Sequence, residues 1–596
     1  MIRYNIYNKV LGLAVAALTF MACTETWDDH YDAASKGVNE GTIWQAIENN
    51  SNLSNFASVL KATGYDKSLA SSQVFTVFAP TNESFSKADA DAIIAVYNAE
   101  KGKVDDEENT AIKEFVQNHM ALYNYSVSES HSDSIVLMNG KYASLTSDGI
   151  DKAKFLAGSK NQLYGNGLLF AVDKVLDYFP NVFEYFRKDA DFDSVYNFLY
   201  NEKLYRSEFE PLLSVAGGIE NGKTVYLDSV FRRTNDLFSY LGRLNSEDST
   251  YWMVAPSNQV WEKLIDEYSQ YFVYDAKAGD NLSVGDIDSL AYVNSRLAIL
   301  NGTVFSRTIN TDKMLQDSAM STAACLEYNY RKAYWGADSL CYYQYFDPLQ
   351  AGGVMSGTEN FECSNGQVMK VSDLSNWNFD KKQTFFQNII VEAERQGSIQ
   401  DMSKIIDSKG DSVYTVNAAV CDVHSDSEFY NEVSNNTFVE FTPSVSTVNH
   451  TVTFNIENVL SNIGYDIYLV TAPALANDSN ATSVQRLPTI LRATINYHDE
   501  TGKSVSTQLQ ASVKTDDASL GYHPDSVNYI KLNADKDYPE GFKFPVSSYG
   551  LVEEKAQVNL NVETRVTATQ QRNNQYTRTM RIDCIILKPH EPTKSE

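Results

Sequence analysis

Two hydrophobic rhythms divide the 596-residue chain. Up to about residue 384, short continuous apolar runs alternate with helical spacings. Phe56, Val59 and Leu60, closed by Gly64, and later Phe192, Val195, Tyr196 and Leu199 recur at the three- and four-residue intervals that gather apolar groups on one helix face. Phe75–Phe85 reads as a short strand running into a helix, and Tyr251–Trp261 repeats it, with Ala-Pro-Thr/Ser-Asn at each junction. Asn82 and Asn258 stand where a helix N-cap is expected, because a short side-chain oxygen can take up an orphan amide of the first turn. From about Phe385 the period becomes two. Val452, Phe454 and Ile456 alternate with polar residues, as do Tyr465, Ile467 and Leu469, then Val558, Leu560 and Val562. Such strands joined by polar turns predict an antiparallel sandwich with one face of each sheet buried.

The first rhythm is an internal repeat. Asn82 and Asn258 lie 176 positions apart, and the helix-like runs Phe115–Leu122 and Tyr292–Ile299 are 177 apart. The closing strands, which begin at Asn166-Gly167 and Asn365-Gly366, are 199 apart, so the second copy carries 23 extra residues (199 − 176) between Asn301 and Cys363. The predicted domains are 41–186, 187–384 with an aromatic-rich insertion at about 306–362, and a C-terminal sandwich at 385–596.

Three ordered segments, Phe75–Phe85, the run around His119, and Asn166–Leu176, resemble the motifs of the fasciclin (FAS1) domain. The resemblance implies a multidomain α+β and β fold: two FAS1 β-sandwich/helix domains followed by an antiparallel, jelly-roll-like β-sandwich. It also implies extracellular binding or adhesion in place of catalysis. The family pairs Tyr with His at its centre; here Asn118 takes the Tyr place beside His119, and Arg296 takes the His place in the second copy. Asn82, His119 and Asn258 are therefore expected to be structural. In the last third, Tyr465–Pro473 and Arg581–Pro589 are similar to strands of galactose-binding-like jelly rolls, which often bind carbohydrate.

The insertion holds Tyr328, Tyr330, Tyr334, Trp335, Tyr342, Tyr343, Tyr345 and Phe346. One reading is an exposed aromatic platform for a glycan or a protein partner. The other is a hairpin whose rings cover the side of the second domain.

The N-terminus changes the address. Arg3 and Lys9 precede an apolar run from Val10 to Met21, too short for a bilayer core of about 30 Å. Ala22-Cys23 at its end resembles the lipobox of bacterial lipoproteins, with Phe20 where Leu is usual. Residues 1–22 are then a signal peptide and Cys23 the lipidated residue. The acidic stretch to residue 40 is a tether that resembles the surface-export signal of Bacteroidetes lipoproteins. Cleavage nearby, as in an ordinary secreted protein, is the other reading. The expected location is the outer membrane, lipid-anchored and surface-exposed.

Charge narrows the partners. At −28, a surface this acidic repels nucleic acid and anionic lipid. No GxSxG, Walker A, HExxH or EF-hand pattern occurs, and the eight His are scattered without metal-ligand spacing. No cofactor, metal or catalysis is expected. Which of Cys325, Cys341, Cys363, Cys421 and Cys584 pair, if any, is left open. The expected function is a binding lipoprotein accessory to a SusC/SusD-type importer of polymer, glycan or peptide. The alternatives are an adhesin acting through its fasciclin domains and a structural subunit of an outer-membrane complex.

Overall fold

A computed structural model describes residues 39–590, apart from 105, 131, 212–213, 221–222, 229–230, 277–283, 329–338, 446 and 551–557. The signal segment, Cys23 and the tether up to residue 38 lie outside the described residues. The chain divides into two compact units, Met1–Asn181 and Val182–Glu596, so the domain boundary expected near residue 384 falls inside the second unit.

In the first unit a four-stranded sheet runs in the order Met120–Leu122, Phe75–Pro80, Gly167–Val172, Gln162–Tyr164. Its two central strands are parallel, from Phe75 opposite Gly167 to Pro80 opposite Val172. Every residue of Phe75–Pro80 is buried, because both faces of the sheet are covered. Phe75, Val77 and Ala79 pack with Phe56, Val59 and Leu60 of the helix Ser54–Thr63. Phe78 and Phe170 turn the other way, onto Ile135, Ala143 and Leu145 of a second four-stranded sheet. The helix stops at Gly64, whose left-handed φ of +81° lets its amide close onto the Lys61 carbonyl.

The second unit opens with a sheet of the same order and sense: Val304–Ser306, Tyr251–Pro256, Gly366–Val371, Glu359–Cys363, with Tyr251 parallel to and opposite Gly366. Its central strand divides its side chains as the first one does. Tyr251, Met253 and Ala255 enter one core, and Val254 enters another with Phe305 and Met369. On the Val254 side, where the first unit has its second sheet, this unit has the hairpin Ser318–Tyr328/Ser339–Phe346, which contributes Tyr345.

The last 200 or so residues form two antiparallel sheets, one of seven strands and one of five, which meet through contacts such as Phe441 edge-on to Phe454 at 6.1 Å. The strands Thr451–Ile456 and Val558–Thr564 alternate as their sequence predicts. Gly464–Thr471 and Met580–Pro589 do not, being buried on nearly every residue. The outer face of their sheet is apolar as well: Tyr468, Val470, Cys584 and Ile586 cluster there with Ile390 and Tyr529 of other strands of the same sheet.

One apolar core runs from the helices at Phe192–Leu199 and Asn258–Tyr268 into the space between these two sheets. Phe385 lies at the junction, with ring centroids 4.9 Å from Tyr268 and 4.8 Å from Phe386. The segment Tyr271–Ala276 is laced to the sandwich. The Val273 amide donates to Ser461 Oγ at 3.0 Å, the Ser461 amide to the Tyr271 carbonyl at 3.0 Å, and the Ala276 amide to the Glu500 carbonyl at 3.1 Å. Each large ring buried here contributes roughly 1.5–3 kcal/mol relative to exposure, so separating the parts would cost far more than one side chain.

Candidate functional site

The motif residues come first, and all of them do structural work. Asn82 does not cap the helix that follows it; Ser86 does, through a capping box with Asp89. Asn82 instead reaches back to the preceding helix. Its Oδ1 accepts the Asn55 amide at 3.0 Å and its Nδ2 donates to the Ser51 carbonyl at 2.8 Å. Asn258 repeats this, accepting from the Ser194 amide at 2.8 Å and donating to the Ala190 carbonyl at 2.8 Å. The N-cap expectation is corrected in its target: each Asn satisfies the first turn of a helix more than 60 or 25 positions earlier in sequence.

A second matched pair, Asn166 and Asn365, heads the closing strand of each repeat. Asn166 accepts the Ile43 amide at 2.8 Å and donates to the Leu69 and Ser71 carbonyls at 2.7 and 2.9 Å. Asn365 accepts the Val182 amide at 2.8 Å and donates to the Leu244 and Ser246 carbonyls at 2.9 and 2.8 Å. The Gly that follows each is required: a Cβ on Gly167 would lie 1.9 Å from the Phe75 carbonyl oxygen, and one on Gly366 would lie 1.7 Å from that of Tyr251.

His119 is fully buried. Its Nδ1 donates to the Phe115 carbonyl at 2.7 Å and its Nε2 accepts the Leu176 amide at 3.0 Å, so it is the neutral Nδ1–H tautomer. Burial pushes its pKa down to about 4, against a smaller raising effect of the Phe115 carbonyl. It has no proton to exchange near neutrality and nothing to exchange it with. Arg296 keeps half of this arrangement, donating to the Tyr292 carbonyl at 3.3 Å while its guanidinium stacks 3.7 Å over the Tyr292 ring.

Three of the four rings of the aromatic insertion whose side chains are described follow the packed reading. Tyr342, Tyr343 and Tyr345 are 8, 3 and 2 % exposed, which corrects their assignment to an exposed platform. The Tyr342 hydroxyl accepts the Asn388 amide at 3.0 Å, the Tyr343 hydroxyl accepts from Asn301 at 3.3 Å, and Tyr345 packs edge-on to Phe305 and Phe379. The physical reason is that the hairpin closes a core that the first unit closes with a sheet. Phe346 is the exposed ring of the stretch. Tyr330, Tyr334 and Trp335 lie outside the described residues, as does the side chain of Tyr328.

A groove lined by half-buried aromatic rings lies on the sandwich, at residues to which the sequence assigned no role. Tyr497, on the strand Ile490–His498, and Thr507, on its neighbour Ser504–Lys514, form one wall of an open groove of about 440 Å³. The loop Asp537–Lys543 forms the other, with Tyr538, Glu540 and Lys543. Phe542 is buried and packs against both tyrosines, edge-on to Tyr497 at 5.6 Å and tilted against Tyr538 at 5.4 Å, which holds the two rings. The loop turns at Gly541, with φ +76°, where a Cβ would meet the Tyr465 amide at 2.6 Å. Tyr497 is further held by its hydroxyl, 3.2 Å from Thr507 Oγ1. The Lys543 ammonium donates to Glu540 at 2.7 Å and holds that carboxyl below the usual range. The half-buried rings and the polar groups at the rim offer stacking faces and hydrogen-bond partners along an open surface. Tyr497 and Phe542 are visible in the sequence only as members of separate strands; the 45-residue separation (542 − 497) hides the pair.

Tertiary folding also gathers Glu392, Asp583 and Cys584, with ligand atoms within 4.8 Å of one another. Pairing of Ile389–Glu392 with the last strand sets Glu392 opposite Cys584. Both Asp583 oxygens accept the Ser434 amide, at 3.1 and 3.2 Å, and Ser434 Oγ donates to Glu392. Two hard carboxylates and one soft thiol make a mixed donor set. Residues 191 positions apart cannot show such a cluster by spacing.

Against known proteins, residues 51–178 match the fasciclin domain, and Asn82, His119 and Asn166 all fall within that match. No curated protein matches the chain. Among solved structures it is similar to the FAS1 domain pair of the insect cell adhesion molecule Fasciclin I, at 13 % identity over 56 % of this chain and 99 % of that one, with a TM-score of 0.18. It is also similar to the CBM22-1 xylan-binding domain of Paenibacillus barcinonensis Xyn10C, at 9 % identity over 35 % of this chain and 96 % of that one, with a TM-score of 0.19.

Proposed function

We propose that this chain is a non-enzymatic binding protein of the bacterial surface. In this reading the fasciclin domain at residues 51–178 is followed by a second, diverged copy within 182–384 and by a ligand-binding β-sandwich. Acylated Cys23 holds the chain at the outer membrane, beside a SusC/SusD-type importer to which it presents polymer. The observation that carries the binding role is the groove between Tyr497 and Tyr538, with its rings fixed from behind by Phe542. The second copy is supported by the Asn258, Asn365 and Gly366 arrangement, which duplicates that of Asn82, Asn166 and Gly167.

The test is a pull-down of the tagged, lipidated protein from its envelope in mild detergent, together with polymer binding and product release by the purified protein. Stoichiometric recovery of a transporter and polymer retention without released product are expected. Steady release of product from any polymer would contradict the reading. An adhesin is the second reading, favoured by the exposed cross-strand pair Val136–Tyr142 of the first unit. It predicts cell attachment that survives Tyr538→Ala and is lost with Tyr142→Ala.

A further inference from the structure

We infer that the Tyr497–Tyr538 groove selects uncharged polysaccharide, binding a segment within the chain, and excludes polymers that carry carboxylate or sulfate. The inference rests on the proposed binding role and adds the class of ligand.

Charge is the first argument. The rim of the groove carries Asp537 and Glu540, both exposed, and a single ammonium, Lys543. That ammonium already faces Glu540 at 2.7 Å, so it offers little to a further anion. The local balance is one negative charge in excess, on a chain whose formal charge is −28. A uronate or sulfate group entering the groove would approach Asp537 within one Debye length, about 8 Å at physiological salt, and the cation that lines the groove, Lys543, already faces Glu540.

The second argument is the chemistry of the walls. A neutral sugar offers a C–H face and a rim of hydroxyls. Tyr497 and Tyr538 supply half-buried ring faces, and Phe542 behind them keeps both from collapsing into the core. Thr507 Oγ1 and the carboxylates of Asp537 and Glu540 accept from hydroxyls, and Lys543 donates to ring or glycosidic oxygens. Burial raises the Tyr538 phenol above its ordinary pKa, so it stays a donor throughout the physiological range.

The third is shape. The groove is open, and its 440 Å³ suits a short run of sugar units without demanding a chain end. The loop that shapes it is fixed by Pro539 and by the left-handed Gly541 pressed against Tyr465, so its form does not depend on the ligand.

The experiment is affinity electrophoresis and titration calorimetry of the full chain in mild detergent, at 20 and 150 mM NaCl. The probes are galactomannan and arabinoxylan as neutral polymers, and polygalacturonate and chondroitin sulfate as acidic ones. Retention by at least one neutral polymer and by neither acidic one is expected. Tyr538→Ala should weaken neutral binding about tenfold or more with an unchanged melting temperature, and Asp537→Asn/Glu540→Gln should admit the acidic polymers. Acidic polymer bound more tightly than neutral, with loss of that binding in Lys543→Gln, would overturn the selectivity while leaving the binding role. Neutral binding unaffected by Tyr538→Ala in a folded variant would overturn the assignment of the groove. Retention by none of the four, at either salt, would overturn both the inference and the polymer-binding role beneath it.

Discussion

In the first unit Gly167 sits at φ +135° against Phe75, and in the second Gly366 sits at φ +145° against Tyr251. The Asn before each Gly clamps one amide and two carbonyls, and an Asn at the head of the next element steadies the helix before the sheet. The sheets share strand order and parallel pairing. What differs is how the two faces are closed. The first unit covers Phe78 with a second sheet of its own and its helices with its own apolar residues. The second covers Val254 with a tyrosine-bearing hairpin and lets its helical side run on into the sandwich core. The lesson is that backbone satisfaction is the conserved engineering between the two bodies, whereas the side chains that cover them are interchangeable. The body that borrows its core from a neighbour gives up folding alone.

The largest way to break the parallel is Gly167→Ala or Gly366→Ala. Each places a Cβ inside a carbonyl oxygen at a positive φ and should cost on the order of 4 kcal/mol. Differential scanning calorimetry of the full chain should show each variant lowering one transition and sparing the other, with two transitions in the wild type. Three wild-type transitions would mean that the sandwich folds apart from the body before it.

Asn166→Ala and Asn365→Ala come next. Each orphans one amide and two carbonyls in a buried setting and should cost roughly 3 kcal/mol in its own transition, read by urea denaturation. Equal losses would show that the clamp does the same work in both bodies.

Acid should weaken the first unit by about 3 kcal/mol through one side chain. His119, with a pKa of about 4 when folded, has an ordinary value near 6.5 when unfolded. Between these values the unfolded chain binds the proton and the folded chain does not. The contribution is therefore full above pH 6.5 and is lost as the pH falls through about 4. Urea midpoints of the first transition at pH 7.5 and 4.5 should differ accordingly, and His119→Gln should flatten the dependence. Arg296 brings no such term to the second body. Its unit responds to acid through His450 of the sandwich, whose ring nitrogens both lack hydrogen-bond partners among the described residues and whose pKa is pushed down to about 4 by burial and then by Arg578.

Arg296→Ala is the smallest change. A stacked, half-exposed guanidinium with two long hydrogen bonds, to the Tyr292 carbonyl and Ser295 Oγ, should be worth less than about 1 kcal/mol by calorimetry. A loss as large as that of His119 would mean the two positions do equivalent work.

Local order was legible in the sequence; closure was not. The strands at Phe75 and Tyr251, the Gly64 stop and the alternation of Val452–Ile456 follow from periods and turn chemistry that act within a few residues. The role of Asn82 was misassigned because its partner, Asn55, is remote in sequence and the N-cap pattern points only forward. Tyr342, Tyr343 and Tyr345 drew attention by number, yet an aromatic run reads alike whether it faces solvent or a core. Met580–Pro589 shares its second apolar face with Ile390 and Tyr529, which stand on other strands of the same sheet and are remote in sequence. Tyr497 and Tyr538 become neighbours only when a loop folds back across a strand pair.

The most direct test of the binding role is a crystal structure of the lipid-free chain with a neutral hexasaccharide from a polymer it retains. The account predicts sugar rings lying over Tyr497 and Tyr538, with hydroxyls toward Asp537 and Glu540. Sugar seated elsewhere, with this groove filled by solvent at saturating ligand, would contradict it.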